Sequence, residues 1–300
     1  MALYVEDGPV SLDSSFRHPR KVFSSKRPHL FERGPHTQAD PFLFVLNEEL
    51  YIFFEIVIPG GVGKIAVYRT RDFREFEYIG IILDESYHLS FPFVFSCDNH
   101  IYMLPETSSA NEIMLYKFAN FPFGLKKNRT LLYGRYCDSF VLRKQDTWFL
   151  FTTSEKGLEI YYSDCLLNEN FIPHPSNPIS IDPQFRRSGG GPICMGGELY
   201  RVSQDCSETY GRNISFIKIL ELSKISYIEE VTRKNFIELT EYWNTDGSHH
   251  FSAVSFNNRY VVMVDGKCSD YFFNRLTSVL NRTFPALLLR ARRLAPLART

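Results

Sequence analysis

The chain has 300 residues, of which 44% are hydrophobic and 15% aromatic, a composition that can fill a large core and favours strands. Lys plus Arg and Asp plus Glu number 34 each, so no net charge draws the protein to nucleic acid. No apolar run resembles a signal peptide or a membrane span, and a cytoplasmic location is therefore expected. The cysteines form no CxxC pair, which predicts neither structural zinc nor a disulfide scaffold.

A short hairpin pattern recurs along the chain at intervals of roughly fifty residues, a period typical of propellers and solenoids. Each copy starts with an apolar strand, continues through a polar turn and resumes with an aromatic-led strand. The five copies open at Asp40, Ser90, Asp138, Gly190 and His249.

Two further strand patterns follow the hairpin in the first four copies, so each repeat has the four strands of a propeller blade. The sequence therefore predicts an all-β, five-bladed β-propeller with four-stranded antiparallel blades over residues 1–275. The fifth copy is shorter. Because a ring of blades must close, we expect the segment before Asp40 to supply its missing strand.

The last residues, 276–300, depart from the blade pattern and are rich in Arg and Leu. A basic amphipathic helix here could make peripheral contact with a membrane or a partner. The alternative is a frayed, basic terminus.

Acidic residues recur at matching points of the repeats. Asp40 and Asp138 open the first and third copies, Glu55 and Glu106 end the second strands of copies one and two, and Asp205 ends that of copy four. Because the inner strands of a propeller surround one axis, these carboxylates are expected to converge on a shared cavity. Glycosidic-bond chemistry needs such a set, one group to protonate the leaving oxygen and another to activate water or attack. The alternative is that each carboxylate caps a turn.

Histidines and arginines near the blade openings complete the candidate site. His88, His249 and His250 could hydrogen-bond sugar hydroxyls, although packing is an alternative for each. Arg187, with its neighbour Arg186, and Arg201 could pair with a phosphate or an acidic sugar, or with a protein carboxylate. No ligand set for a metal and no cofactor motif is evident, since the glycine run before Pro192 lacks the Lys-Ser/Thr of a phosphate loop.

Two short segments resemble motifs of the propeller glycosidases, the arabinanase, xylosidase and invertase superfamily. Ala39-Asp40-Pro41-Phe42 is similar to their first-blade motif, and Asp138-Ser139-Phe140-Val141 resembles their Asp-Pro-Ser-Leu strand. The resemblance implies that Asp40 acts as general base and that Asp138 adjusts the pKa of the acid. The family's acid lies in a Glu-Gly-Pro motif, and Gly190-Gly191-Pro192 has glycine in its place.

A second resemblance extends from Ala39 to about Tyr227. The segments Leu104–Thr107 and Leu199–Cys206, followed by Tyr210-Gly211, resemble the N-terminal propeller domain of glucosamine inositolphosphorylceramide transferases and its bacterial relatives. This resemblance implies a role in glycan or glycolipid assembly. Those plant proteins also carry a separate glycosyltransferase domain that has no counterpart in this sequence.

We therefore expect an enzyme that transfers or hydrolyses a glycosyl unit, with Asp40, Glu106 and Asp138 as the catalytic set. Glu106 is the candidate replacement for the missing acid. The expected partners are a sugar or sugar nucleotide and a glycan or glycolipid acceptor. Two alternatives remain open, a non-catalytic glycan-binding module that serves a transferase and a propeller that binds proteins.

Overall fold

The computed structural model describes residues 1–23 and 37–268. Within them the strands form five antiparallel sheets, one for each repeat, which confirms the predicted five-bladed propeller. The predicted basic tail, 276–300, lies outside the described residues. In the described part of the chain, no helix has the length and apolar character needed to cross a bilayer.

The first three blades follow the chain directly, with the inner strand first. Blade 1 contains β3 (Thr37–Leu46), β4 (Glu49–Val57), β5 (Gly63–Thr70) and β6 (Glu77–Leu83). Blade 2 contains β7 (Ser90–Cys97), β8 (His100–Glu106), the short 3₁₀ helix η1 (Ser108–Ala110), β9 (Glu112–Asn120) and β10 (Phe123–Tyr133). Blade 3 contains β11 (Cys137–Lys144), β12 (Thr147–Ser154), β13 (Gly157–Ser163) and β14 (Ile172–Pro173).

The last two blades are less regular. Blade 4 contains β15 (Arg187–Ser188), β16 (Ile193–Met195), β17 (Glu198–Gln204), β18 (Ile214–Leu222) and β19 (Tyr227–Arg233), and both β15 and β16 pair with β17. Blade 5 contains β20 (Phe251–Phe256), β21 (Arg259–Val264), β1 (Ala2–Glu6) and β2 (Lys21–Val22). Because β1 pairs with β21, the N-terminal segment joins the last blade and closes the ring.

The hairpins that revealed the repeat have turns suited to the twist of their strands. The central residues of the β3–β4 turn, Asn47 and Glu48, have φ values of 48° and 59°. Asp98 and Asn99 in blade 2 and Asn257 and Asn258 in blade 5 have the same left-handed geometry. Two consecutive positive φ values are typical of the type I′ turn, which favours Asn, Asp and Gly. This preference explains why polar pairs mark the blade hairpins in the sequence.

Aromatic side chains pack the blades against one another. The Phe42 ring of blade 1 lies 4.9 Å from Phe91 and 5.7 Å from Phe93 of blade 2, in edge-on geometry. On the axis, the inner strands enclose an apolar cavity of about 300 Å³ that is bounded by Phe42, Phe93, Gly191 and Phe251. The polar residues that open each inner strand therefore lie at one end of this apolar channel.

Candidate active site

Equivalent β-bulges present Asp40 and Asp138 at the same point of blades 1 and 3. The strand register shifts between Ala39 and Phe42 in blade 1 and between Cys137 and Phe140 in blade 3. Asp40 and Asp138 have φ values of 50° and 49°, left-handed backbone that is uncommon outside glycine. In blade 2 the equivalent residue is Phe91, with φ 47°. The same bulge, with one residue of left-handed backbone, therefore occurs in three blades, and that residue is an aspartate in blades 1 and 3.

Each bulge is anchored by a carboxylate from the preceding blade. The Phe91 N–H donates to Asp40 Oδ2 (3.1 Å), and the Asp138 N–H donates to Glu106 Oε2 (3.2 Å). Across the junction where the ring closes, the Asp40 N–H faces Asp265 Oδ2 of blade 5 at 3.4 Å. These bonds join neighbouring blades and bring the predicted carboxylates together at one end of the axis.

At the junction of blades 5 and 1, the His249 imidazole lies between two carboxylates. Its Nδ1 is 2.9 Å from Asp265 Oδ2 and its Nε2 is 3.2 Å from Asp40 Oδ1. Both ring nitrogens must donate, so the ring is an imidazolium. Burial opposes this charge, but Asp265 and Asp40 outweigh it and raise the pKa of His249 well above 6.5. We call Asp40, His249 and Asp265 the histidine cluster.

Asp40 is ionised within this cluster. Burial works to raise its pKa, but the hydrogen bond and charge of His249 leave the pKa of Asp40 below its usual value. The Asp265 pKa is likewise lowered, since the charge of His249 and its hydrogen bonds exceed the effect of burial. Asp265 Oδ1 also accepts the backbone N–H groups of His249 (2.9 Å) and His250 (3.0 Å). Asp40 is thus held as a carboxylate next to the positive charge of His249.

Between blades 2, 3 and 4, the second bulge carboxylate meets an arginine. Arg187 Nε donates to Asp138 Oδ2 at 2.5 Å, and the Gln204 amide donates to the same oxygen at 3.0 Å. Arg187 also approaches Glu106 Oε2, at 3.8 Å. Burial and then the charge of Asp138 raise the pKa of Glu106 well above 4.5. Asp138, Glu106, Arg187 and Gln204 form what we call the arginine cluster, in which burial and Asp138 favour the protonated form of Glu106.

Glu55 and His88 lie beside the histidine cluster. His88 Nε2 is 3.1 Å from Glu55 Oε1, and His88 Nδ1 accepts the Gly63 N–H at 3.0 Å. The latter bond fixes the tautomer, with the proton on Nε2 directed at Glu55. Burial is the main cause of the raised pKa of Glu55. A third carboxyl group with a perturbed pKa therefore borders the axial end.

A pocket of about 440 Å³ opens beside the arginine cluster. Tyr210, half-exposed, forms one wall; its ring lies 5.0 Å below the Arg187 guanidinium and 5.4 Å from the His249 ring. Cys137 lines the same pocket, and burial raises the pKa of its thiol to about 11, so it is protonated at neutral pH and a poor nucleophile. The pocket therefore offers an aromatic face and a guanidinium beside the arginine cluster.

Three of the predicted site residues are occupied by contacts within the protein. Arg201 is 1% exposed and forms a bidentate pair with Glu229, both contacts at 2.6 Å. Asp205 accepts the Ser207 N–H and hydroxyl and so stabilises the turn that leads to Tyr210. Among the described residues, neither shares a hydrogen bond with the two clusters. His250 is fully buried against Phe42, with its Nδ1 3.7 Å from Asp40, and burial lowers its pKa.

The glycine run of blade 4 leaves no room for a side chain where the resemblance to glycosidases places their acid. Gly190 has φ 151°, and a Cβ atom there would lie 2.2 Å from the Phe251 carbonyl oxygen. The glycine instead allows blade 4 to approach blade 5, where the Phe251 N–H donates to the Gly189 carbonyl at 2.8 Å. An acid at this site must therefore come from elsewhere in the ring.

Three site residues were not among the sequence predictions: Asp265, Gln204 and Tyr210. Asp265 directly follows β21, and Gln204 ends β17, so both occupy the end of a second strand, as Glu106 does. Their positions at the ends of second strands could therefore have identified both residues from the sequence. Tyr210 lies in the β17–β18 loop and had no comparable signal, since its place depends on the fold of the loop.

The histidine cluster is also the one group of the described residues with ligand atoms close enough for a metal, within 4.8 Å of one another. A metal ion bound to the His249 ring would have to displace one of its two N–H protons, each of which is directed at one carboxylate. The imidazolium offsets only one of the two carboxylate charges.

Comparison with known proteins identifies the family. The family model described as "Glucosamine inositolphosphorylceramide transferase 1, N-terminal" matches residues 31–267. The chain belongs to this family. It is 36% identical over 248 residues to glucosamine inositolphosphorylceramide transferase 1 of Arabidopsis thaliana, and 36% identical over 244 residues to the Oryza sativa subsp. japonica protein. The alignments cover 76% of this chain but only 32% and 33% of those proteins, so the chain spans about a third of their length.

Solved structures share the propeller. The catalytic domain of the Coprinopsis cinerea GH62 α-L-arabinofuranosidase aligns with a TM-score of 0.59 and 13% identity, covering 78% of this chain and 83% of that one. The α-L-arabinofuranosidase PaAbf62A of Podospora anserina aligns with a TM-score of 0.57 and 12% identity over 79% of this chain and 82% of that one. The family thus has the five-bladed fold also used by glycoside hydrolases.

Proposed function

We propose that the axial end of the propeller is a carbohydrate site that acts on a glycosidic bond, with Glu106 as proton donor and Asp40 as base or nucleophile. The observation that carries the proposal is that the strand ends bring the two carboxyl groups to one axial end, Glu106 beside Arg187 and the Asp138 backbone, and Asp40 beside His249. Burial and Asp138 favour the protonated form of Glu106, and His249 favours the ionised form of Asp40. Glycosyl chemistry needs both states at once, the acid for the leaving oxygen and the carboxylate for water or the anomeric carbon.

The surrounding residues support these roles. Asp138 is 2% exposed and lies beside Glu106, and it contributes to the raised pKa of Glu106, which favours the proton on Glu106 until a leaving oxygen takes it. Arg187 limits the repulsion between the two groups through its contacts with both. The exposed Tyr210 face offers a surface on which a sugar ring can pack.

The relatives support the same class of chemistry. The relatives of known name are each called glucosamine inositolphosphorylceramide transferase 1, and the solved propellers include a GH62 α-L-arabinofuranosidase. We therefore propose a sugar or sugar nucleotide as donor and a glycan or glycolipid as acceptor. Because the match covers about a third of the named transferases, the transfer step in them could reside in their remaining length.

A second candidate is a glycan-binding module without catalysis of its own. Both oxygens of Asp40 are engaged, one by His249 and the other by the Phe91 N–H, and Asp40 is 5% exposed. Such a carboxylate is well placed to hold the blades together and poorly placed to attack a substrate. In this case Tyr210 and Arg187 would contribute most of the binding.

The dependence on the leaving group tests the proposal. We expect Glu106→Gln to lower turnover of alkyl glycosides, which need a proton donor, by about 10²- to 10⁴-fold. Turnover of 2,4-dinitrophenyl glycosides should change little, because their leaving group departs as a stable anion. Asp40→Asn should abolish turnover of both classes. The assay is product release from a panel of glycosides with different sugars.

Glu112→Gln provides the matched control, since Glu112 is a carboxylate of blade 2 paired with Lys127 in the outer part of the sheet. It should leave both rates unchanged. Equal losses for the two leaving-group classes in Glu106→Gln would remove Glu106 as the acid. Saturable binding of glycosides without turnover in the unmodified protein would favour the binding module.

A further inference from the structure

The pocket beside Tyr210 has a basic wall that the proposed glycosidic chemistry does not use. Its lining comes from the ends of blades 2, 3 and 4 and includes Arg135, Arg186 and Arg187 as well as Ser108 and Ser154. Glu155 is the single carboxylate among the lining residues in the described part of the chain. The local charge is therefore positive next to a ring of otherwise acidic residues.

The three guanidinium groups differ in what they contact. Arg187 is committed to Asp138 and Glu106. The Arg135 Nε donates to the Asn111 side-chain oxygen at 3.2 Å, a neutral acceptor. The Arg186 side chain has no hydrogen-bond or ion-pair partner within residues 1–23 and 37–268, although its backbone is held by Asp182 and by the Thr153 hydroxyl. Two arginines thus face the pocket without a carboxylate.

The backbone contacts hold Arg186 in place while leaving its guanidinium available. Thr153 donates its hydroxyl to the Arg186 carbonyl at 3.0 Å, and the Arg186 N–H donates to the Asp182 carbonyl at 2.8 Å. A guanidinium presents a planar fork of N–H donors that matches the oxygens of a carboxylate or phosphate. The Ser108 and Ser154 hydroxyls add neutral donors on the same lining.

We propose that this pocket binds an anionic group of the substrate, a phosphate or a carboxylate, through Arg186 and Arg135. The inference deepens the proposed carbohydrate function and rests on it for the identity of the substrate as a sugar. The sugar ring packs on Tyr210, and its anionic substituent enters the basic part of the pocket. Neutral sugars then lack a contact that phosphorylated or acidic sugars make.

Inorganic phosphate tests the subsite without any assumption about the sugar. Phosphate binding, followed by calorimetry and by ³¹P NMR line width, should saturate in the unmodified protein and weaken with added salt. Arg186→Gln and Arg135→Gln should each weaken it by about tenfold. Arg74→Gln is the matched control, since Arg74 is an exposed arginine in the β5–β6 turn of blade 1. It should leave phosphate binding unchanged.

A second set of probes separates the two anions. Glucose 1-phosphate and glucuronate are compared with glucose in the same proteins, and thermal unfolding verifies that each variant is folded. Tighter binding of the phosphorylated sugar or of the uronate identifies the natural group. Equal affinity for all three sugars, or phosphate binding that survives both arginine substitutions, would overturn the subsite.

The two proposals can fail separately. Phosphate binding that requires Arg186 together with no turnover of any glycoside would retain the subsite and reject catalysis. Turnover of neutral glycosides without phosphate binding would do the reverse.

Discussion

Asp40 and Asp138 occupy equivalent β-bulges in blades 1 and 3, with φ values of 50° and 49°, but the cationic groups that balance their charges differ. Asp40 is balanced by His249, a group whose charge depends on pH. Asp138 is balanced by Arg187, a group that stays charged at every pH relevant to a folded protein. The repeat places the two aspartates at equivalent backbone positions. Their different partners from other blades make the two carboxylates chemically distinct.

This difference divides the axial end into two parts, the histidine cluster and the arginine cluster. The histidine cluster joins blade 5 to blade 1, where the two ends of the ring meet. The arginine cluster lies between blades 2, 3 and 4 and borders the pocket. We expect the positive charge that balances Asp40 to be lost as pH rises and the positive charge that balances Asp138 to persist, and each of the following changes tests that contrast.

The largest effect is expected from removal of the permanent charge. Arg187→Gln leaves Asp138, which is 2% exposed, with the Gln204 amide but without a counter-charge. The loss of one partner from a buried ion pair costs about 3 kcal/mol. Urea unfolding at pH 7 should show this decrease in the free energy of unfolding.

Arg143→Gln serves as the control for this change. Arg143 is an exposed arginine of blade 3 whose contact with Asp146 is 3.9 Å long, so its loss should change stability by less than about 0.5 kcal/mol. A similarly small effect of Arg187→Gln would mean that Asp138 is not held as a buried charge.

The second test concerns pH. The folded pKa of His249 is raised above its unfolded value of 6.5, so its stabilisation is complete below pH 6.5 and is lost as pH rises through the folded pKa. Over that interval the free energy of unfolding should fall by about 1.4 kcal/mol per pH unit. In His249→Gln this slope should become smaller, because Glu55, His88 and Glu106, whose pKa values are also raised, still contribute to it. Urea midpoints between pH 6 and 9 measure the difference between the two proteins.

His100→Gln supplies the matched comparison, because His100 is an exposed histidine at the β7–β8 turn. It should retain the slope of the unmodified protein. An unchanged slope in His249→Gln would assign the pH dependence to other groups and would remove the contrast between the two clusters.

The fold was predictable because each blade repeats local rules. Two-residue polar turns and apolar strands encode every hairpin independently, so the five blades could be counted from the sequence. The equivalence of Asp40 and Asp138 also followed from their spacing. The identity of their partners did not follow, since His249, Asp265 and Arg187 come from other blades and are selected by how the ring closes.

The predictions for blade 4 show that the position of a strand end must be correct to within one residue to identify a site residue. Asp205 was expected to end the second strand, but β17 ends at Gln204, and it is Gln204 that contacts Asp138. Successive residues of a strand point to opposite faces, so an error of one residue moves a side chain from the site into a turn. Arg201 was placed on the correct strand, but its partner Glu229 lies on β19, far along the chain.

The smallest effect concerns how far the two clusters influence each other. After burial, Asp138 is the main cause of the raised pKa of Glu106, whereas the influence of Asp40 is the weakest of the named causes. Asp138→Asn should therefore lower the pKa of Glu106, and it also leaves Arg187 free to attract the Glu106 carboxylate. Asp40→Asn should lower it by less. A ¹³C NMR titration of the glutamate carboxyl groups compares the two variants directly. A larger shift in Asp40→Asn would show that the two clusters titrate as one unit, because the charge of Asp40 would then outweigh that of the carboxylate directly bonded to Arg187.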